Sequence, residues 1–205
     1  IDYETATSHN VTVEVDDGAG NTYSEVITLN VNDLNDETPT DITLTGGSVN
    51  ENATTGTTVA TLSTVDADAS NSFSYSITSD PSGFFEISGN QIQVKAGASI
   101  DYETATSHKV TVQVDDGNGN TDSEVISLSV DDLNDETQTD ITLTGGSVNE
   151  GATAGTTVAT LSTVDADASN SFSYTLTSDP SGFFEISGNQ IQVKAGASID
   201  YETAT

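Results

Sequence analysis

Apolar residues in this chain recur at every second position over short stretches. Val110, Val112 and Val114 alternate with Thr111 and Gln113, and Ile126, Leu128 and Val130 alternate with serines. The same spacing appears in Phe73, Tyr75 and Ile77, and in Ile42 with Leu44. Successive side chains of an extended strand point to opposite faces, so this period predicts strands with one buried face. Ile87 on one side and Ile92 and Val94 on the other flank a turn at Ser88-Gly89-Asn90. A second turn is marked by Asp116-Gly117-Asn118-Gly119-Asn120, whose residues tolerate the backbone angles of a tight reversal. No stretch carries the spacing of an amphipathic helix. Roughly seven short strands in each 99 residues fit an all-β, Greek-key sandwich.

The 99-residue unit comes from an internal repeat. Ile1-Asp2-Tyr3-Glu4 returns as Ile100-Asp101-Tyr102-Glu103 and again as Ile199-Asp200-Tyr201-Glu202. Residues 1–99 and 100–198 differ at 12 positions, which points to recent duplication and a longer array. A unit of this length is a domain, too long for a solenoid turn. Polar stretches at 33–39 and 132–138 read as linkers. The expected organisation is the C-terminal part of one repeat at 1–40, a complete repeat at 41–139, and the N-terminal part of the next at 140–205. Neither partial repeat has enough strands to bury a core alone. Residues 140–205 carry the strands that 1–40 lack. Two readings follow: a window from a continuous array, or identical chains joined head to tail by strand complementation.

Composition narrows the function. The chain has 33 acidic residues against 3 basic ones, a formal net charge of −30. Such a surface cannot displace the counterions of a nucleic acid, and it is repelled by anionic membranes. The alternating apolar strands argue against disorder, the usual reading of so high a charge. Cysteine is absent, so no disulfide staples the fold. No apolar run is long enough for a leader or a membrane span, which places any such segment elsewhere in a longer parent.

The acids are ordered. Each repeat carries five clusters in one sequence: Asn50-Glu51-Asn52, Asp66-Ala67-Asp68, Asp101-Tyr102-Glu103, Asp115-Asp116, and the linker 132–136. In this order the chain resembles the cadherin family, whose repeats carry an early Glu, then Asp-x-Asp, Asp-x-Glu, a strand-end Asp before Gly, and a linker of the Asp-x-Asn-Asp type. The resemblance runs the whole length and implies immunoglobulin-like sandwiches joined end to end. The Asp-Gly-Asn-Gly-Asn turn looks closest to the cadherin-like repeats of large bacterial surface adhesins. The family implies about three calcium ions at each complete junction. Carried over by position, the second junction would take Glu51, Asp101 and Glu103 from the upstream repeat. Its linker would give Asp132, Asn134 and Asp135 by side chain, and Leu133 and Glu136 by backbone carbonyl. Asp165 and Asp167 would come from downstream. The first junction would take Asp2, Glu4, Asp33, Asn35, Asp36, Asp66, Asp68 and Asp116. Glu150, Asp200 and Glu202 would begin a third.

Physical chemistry supports the metal. Calcium takes 6–8 hard oxygen ligands at ~2.3–2.6 Å. Carboxylates this dense would otherwise repel one another and hold protons more tightly. A solvated acidic face, as in halophilic proteins, would not place its acids in ordered motifs. An EF-hand is disfavoured, because Asp66-Ala67-Asp68 lacks the following Gly and the terminal bidentate Glu. The expected function is an extracellular, calcium-stiffened stalk or filament of repeats in contact with their neighbours in cis. The alternative is a module that grips a carbohydrate, another repeat or a cell-surface ligand. Tyr3, Tyr23, Tyr102 and Phe84-Phe85 are its candidate aromatics, with Phe84-Phe85 read as partly core. Asp101 and Glu103 imitate a glycosidase pair, but two acids on one strand face beside further acids suit a metal better. No enzyme is expected. His9 and His108 begin strands and lack a nucleophile nearby.

Overall fold

The computed structural model describes residues 1–68, 72–167 and 170–202, and every regular element among them is a β-strand. They form two compact units, Ile1–Asp131 and Asp132–Thr205. The first unit begins with an antiparallel hairpin of β1 (Ser8–Asp16) and β2 (Thr22–Asn30), in register from Ser8↔Asn30 to Asp16↔Thr22. Two four-stranded sheets follow. One joins β3 (Asp41–Gly46), β5 (Thr58–Val65), β8 (Gln91–Val94) and β7 (Phe85–Ser88), in that spatial order. The other joins β4 (Ser48–Asn50), β10 (Thr121–Asp131), β9 (Ser107–Asp115) and β6 (Ser74–Ser79).

The core lies where the alternating residues of the two sheets meet. Leu62, Ile92 and Val94 come from one sheet, and Val110, Val112, Val114 and Leu128 from the other. Ile100 closes the core from the loop before β9. The predicted alternation therefore holds in β9, where Val110, Val112 and Val114 are buried, and in β10, where Ile126, Leu128 and Val130 are buried. It holds only in part in β3, where Ile42 is 2% exposed and Leu44 is 39% exposed. The reason is a change of sheet just beyond Leu44. At Gly46-Gly47 the chain leaves the partnership of β3 with β5 and enters β4, which runs parallel to β10. Gly47 N–H donates to the Val59 carbonyl at 2.9 Å, and Ser129 N–H donates to the Gly47 carbonyl at 2.9 Å. Gly46 has φ +93°, a region that residues with a side chain rarely adopt.

The second unit repeats the first sheet. Its strands are β11 (Asp140–Gly145), β12 (Thr157–Val164), β14 (Gln190–Val193) and β13 (Phe184–Ser187), in that spatial order. The register irregularity between Thr58 and Ala60 recurs between Thr157 and Ala159. Residues 172–178 have nearly the sequence of β6 and its flank but form no strand. In the first unit β6 is held by its ladder with β9. The described part of the second unit has no counterpart of β9.

The crossover gives a direct test. A Cβ on Gly46 would sit 2.8 Å from the Val59 carbonyl oxygen, whereas Gly89 faces open space. Gly46→Ala should cost about 1–3 kcal/mol through backbone strain, with the clash added. Gly89→Ala should cost visibly less. Urea unfolding of the two variants measures the difference, and equal losses would contradict this account of the crossover.

Candidate metal centre at the linker

The site is assembled from three stretches far apart in sequence. The first is the turn after residue 1. Asp2 Oδ1 accepts the N–H groups of Glu4 at 3.1 Å and Thr5 at 3.3 Å, and Asp2 Oδ2 accepts the Thr5 hydroxyl at 2.7 Å. The Thr5 hydroxyl, helped by these amides, holds the Asp2 carboxyl below the usual carboxylate range. One repeat on, the Thr104 hydroxyl and amide do the same for Asp101. Sequence reasoning missed both threonines, although Thr follows Asp by three residues in each copy.

The second stretch is the linker 33–39, and the third is the loop after β5. Burial alternates along the linker, with Asp33, Asn35, Glu37 and Pro39 turned inward while Asn32, Leu34, Asp36 and Thr38 are exposed, and the backbone bends at Asn35 and Glu37. In the loop, Asp68 N–H donates to Asp66 Oδ1 at 2.9 Å. Asp68 is 6% exposed, and its Oδ2 accepts the Glu37 N–H at 3.1 Å. One carboxylate oxygen from each of Asp2, Glu4 and Glu37 lies within 4.8 Å of the other two. Glu4, Asp33 and Asp68 form a second such triad, and Asp36, Glu37 and Asp68 a third. Asn35 Oδ1 and Asp66 Oδ2 are buried beside them without a hydrogen-bond donor. Buried acceptors of this kind need a cation or water to balance them.

Electrostatics tells the same story. The Asp68 carboxylate against Glu37, with burial and the charges of Asp36 and Glu4, pushes the Glu37 carboxyl up to about 7. A proton thus does part of what a metal ion would do. Glu37 is a residue that the sequence reading missed as a side-chain donor, because its counterpart Glu136 was assigned through its backbone carbonyl. Asp116 is placed differently from the other acids. It is 1% exposed and its carboxylate faces its own turn. Oδ1 accepts the N–H groups of Asn118 at 2.8 Å and Asn120 at 3.1 Å, and Oδ2 accepts Asn120 Nδ2 at 2.8 Å. Burial alone would raise its pKa, but these donors outweigh it and the net shift is downward.

The remaining candidates fall into each unit separately. In the first unit Glu51 is 2% exposed, and its Oε2 accepts the Tyr102 N–H at 2.9 Å. Asn52 N–H donates to the Ile100 carbonyl at 2.9 Å, which sets Glu51 beside the stretch bearing Asp101 and Glu103. Gly151 N–H and the Ile199 carbonyl make the same bond in the second unit, bringing the stretch of Glu150 beside that of Asp200 and Glu202. There Asp200 Oδ1 accepts the Glu202 N–H at 3.0 Å. Also in the second unit, Asp165 Oδ1 accepts the Asp167 N–H at 3.0 Å and Asp167 Oδ1 accepts the Asp135 N–H at 3.4 Å. Asp132, Leu133, Asn134 and Glu136 lie on the same linker as Asp135. The aromatic candidates divide. Phe85 is core, and the rings of Phe84 and Phe85 lie 5.2 and 5.8 Å from that of His108. Tyr102 packs against the core, and Tyr23 is exposed.

Residues 46–131 match the family model of the cadherin domain. The chain is 36% identical over 144 residues to Protocadherin Fat 1 of Homo sapiens, across 66% of this chain and 3% of that protein. It is 30% identical over 203 residues to Cadherin-related family member 1 of Gallus gallus, across 91% of this chain and 23% of that protein. It therefore spans less than a quarter of the length of either relative. The human Desmocollin-1 ectodomain matches all of this fold with a TM-score of 0.67 at 20% identity, over 42% of its own chain. Protocadherin Gamma B2 extracellular cadherin domains 3-6 match 97% of it with a TM-score of 0.65 at 23% identity, over 53% of that chain.

The crowding at Glu37 predicts a pH dependence of the metal-free protein. Between about 4.5 and about 7 the folded chain holds a proton that the unfolded chain has released. Stability from this group is present below the lower value and is lost as pH rises through the upper one. Carboxyl-carbon NMR in chelator should show Glu37 titrating near 7. Asp68→Asn should bring the midpoint back toward the ordinary glutamate range, and an unmoved midpoint would refute the assigned cause.

Proposed function

We propose that this chain, whose residues 46–131 match the family model of the cadherin domain, is a stretch of an extracellular repeat array whose linkers are stiffened by calcium. The observation that carries the reading is the meeting of carboxylates from three stretches: Asp2 and Glu4 before the linker, Asp33, Asp36 and Glu37 within it, and Asp68 after it. These are hard oxygen donors in an irregular cage, which suits calcium better than the strict octahedron of magnesium or the nitrogen and sulfur preferred by zinc. Calcium there would supply the positive charge that the carboxylates lack and displace the proton on Glu37. Asn35 Oδ1 and Asp66 Oδ2, each buried without a donor, would complete the ligand set.

The assignment extends to the second junction, with Glu51, Asp101, Glu103, Asp132, Asn134, Asp135, Asp165 and Asp167 by side chain and Leu133 and Glu136 by carbonyl. Glu150, Asp200 and Glu202 would open a third junction, and Asp116 would shape the first. About three ions per complete junction and repeat limits of 1–40, 41–139 and 140–205 belong to the same proposal. Relatives with cadherin domains are extracellular adhesive repeat proteins and are not enzymes. The role assigned here is that of their spacer, with neighbouring repeats in cis as the first partner. Exposed apolar residues on β1 and β2, among them Val15 and Val26, would be covered by such neighbours or by further copies joined head to tail. A bacterial-adhesin origin rests on the Asp-Gly-Asn-Gly-Asn turn alone, and the relatives named above are animal proteins. The carbohydrate reading loses its best aromatic pair to the core, since Phe85 is 4% exposed.

Two measurements test the proposal. Calorimetry should show saturable calcium binding that magnesium displaces poorly. Each independent site should add ~2.7 kcal/mol of stability at calcium 100-fold above its dissociation constant. Asp66→Ala with Asp68→Ala should weaken binding at least tenfold, and Glu86→Ala, outside the clusters, should hardly matter. Equal effects would reduce the acids to a diffuse field. Small-angle scattering on an array of three or more intact repeats should show a long, narrow particle with calcium and a broadened distance distribution in chelator. The far-UV β signal should persist in both. A compact particle in both states would sink the stalk, and loss of β structure on chelation would show that calcium holds up the domains themselves.

A further inference from the structure

The linker is tied to the following sandwich by amide side chains outside the carboxylate triads, together with one backbone bond to Asp68. Asn118 Nδ2 donates to the Asn35 carbonyl at 2.7 Å, and Asn120 Nδ2 donates to the Glu37 carbonyl at 3.1 Å. Asn35 Nδ2 answers by donating to the Asp116 carbonyl at 3.2 Å. Glu37 N–H adds its bond to Asp68 Oδ2 at 3.1 Å. The two asparagines come from one turn, and their spacing of two matches that of the linker residues they grip. Burial alternates along the linker, and Asn35 and Glu37, both on its inward side, meet the turn. On the other side, Val31 N–H donates to the Thr7 carbonyl at 2.9 Å, which ties residue 31 to the start of the hairpin β1–β2. Between these two ties a carboxylate oxygen of Asp33 lies within 4.8 Å of one from each of Glu4 and Asp68.

The chain carries its own control. In the preceding repeat the turn reads Asp17-Gly18-Ala19-Gly20-Asn21. Asp17 Oδ1 still accepts the N–H groups of Ala19 at 2.8 Å and Asn21 at 3.2 Å, and Oδ2 still accepts Asn21 Nδ2 at 2.6 Å. The turn therefore forms without an amide side chain at its third position. That leaves the Asn118 side chain available for the linker.

We propose that the Asp116–Asn120 turn is a calcium-independent clasp: Asn118 and Asn120 are positioning residues that fix the linker from Asn35 to Glu37 on the downstream sandwich. The clasp holds Asn35, Glu37 and Asp68 in place before any ion arrives. Ion binding then has less of the linker to order.

The calcium arm of the test rests on the proposed function, and the relaxation arm does not. Backbone ¹⁵N relaxation on the whole chain in chelator should give residues 35–37 order parameters near those of β5, about 0.85. Asn118→Ala, a change the preceding repeat already tolerates, should lower them at Asn35 and Asp36. It should also weaken calcium binding at this junction by roughly three- to tenfold, because more backbone must be ordered on binding. Asn118→Ala with Asn120→Ala should extend both effects to Glu37. Order parameters near 0.6 at residues 35–37 in the unaltered chain would overturn the clasp, as would an unchanged profile in Asn118→Ala. Altered mobility with unaltered calcium affinity would overturn the positioning role. Absence of any calcium heat, with the relaxation profile as stated, would uphold the clasp and refute the metal reading instead.

Discussion

Repulsion among carboxylates held close by the fold is the constraint around which this chain is arranged. Two unit charges 4 Å apart near a protein surface interact by about 4 kcal/mol. Six acids share overlapping triads at the first linker, so the structure cannot leave all of them charged and unbalanced. The proton on Glu37 is one response. The hydrogen bonds that Asp2 and Asp116 receive from their own turns are another. Neither neutralises the whole group, and the chain has no disulfide to hold its repeats together by other means. The linker is thus where a bound cation would have the most charge to balance.

The sandwich is insulated from that charge. Its core is apolar and lies between two sheets, with Leu128, Val112 and Val114 fully buried. Its backbone bonds run along strands that the linker does not enter. The acids sit in turns and loops at strand ends, where side chains project freely and apolar packing is not interrupted. This separation lets the repeat change its junction without changing its interior, and it explains how surface positions such as Tyr23 and Asp122 can diverge between copies.

Much of this was legible in the sequence, because period-two burial depends on local geometry. Val110, Val112 and Val114 could be placed in the core from spacing alone. Leu44 could not, because its exposure follows from the change of sheet at Gly46-Gly47, a long-range event. Residues 172–178 make the point more sharply. Their alternation is that of β6, yet a strand needs a ladder partner and the alternation is silent about who supplies it. At the site, the ordered acids named Asp2, Glu4, Asp33, Asp36 and Asp68, which the structure brings close together. Glu37, Thr5 and the asparagines of the turn were not named. Their roles depend on which way one side chain faces across more than eighty residues of sequence in the case of Asn118 and Asn120, and motif order carries no such information.

The crossover at Gly46-Gly47 bears on how a repeat would meet a mechanical load. It sets β4, near the start of the domain, parallel to β10, at its end, with Ser48, Val49 and Asn50 opposite Ser129, Val130 and Asp131. Tension applied through the two ends of the domain pulls these strands in opposite directions along their common axis. Their hydrogen bonds are then loaded together in shear, where a hairpin pulled at its open end would surrender them one at a time. A spacer that must stay the same length under drag gains from that geometry, and two glycines are what make it possible.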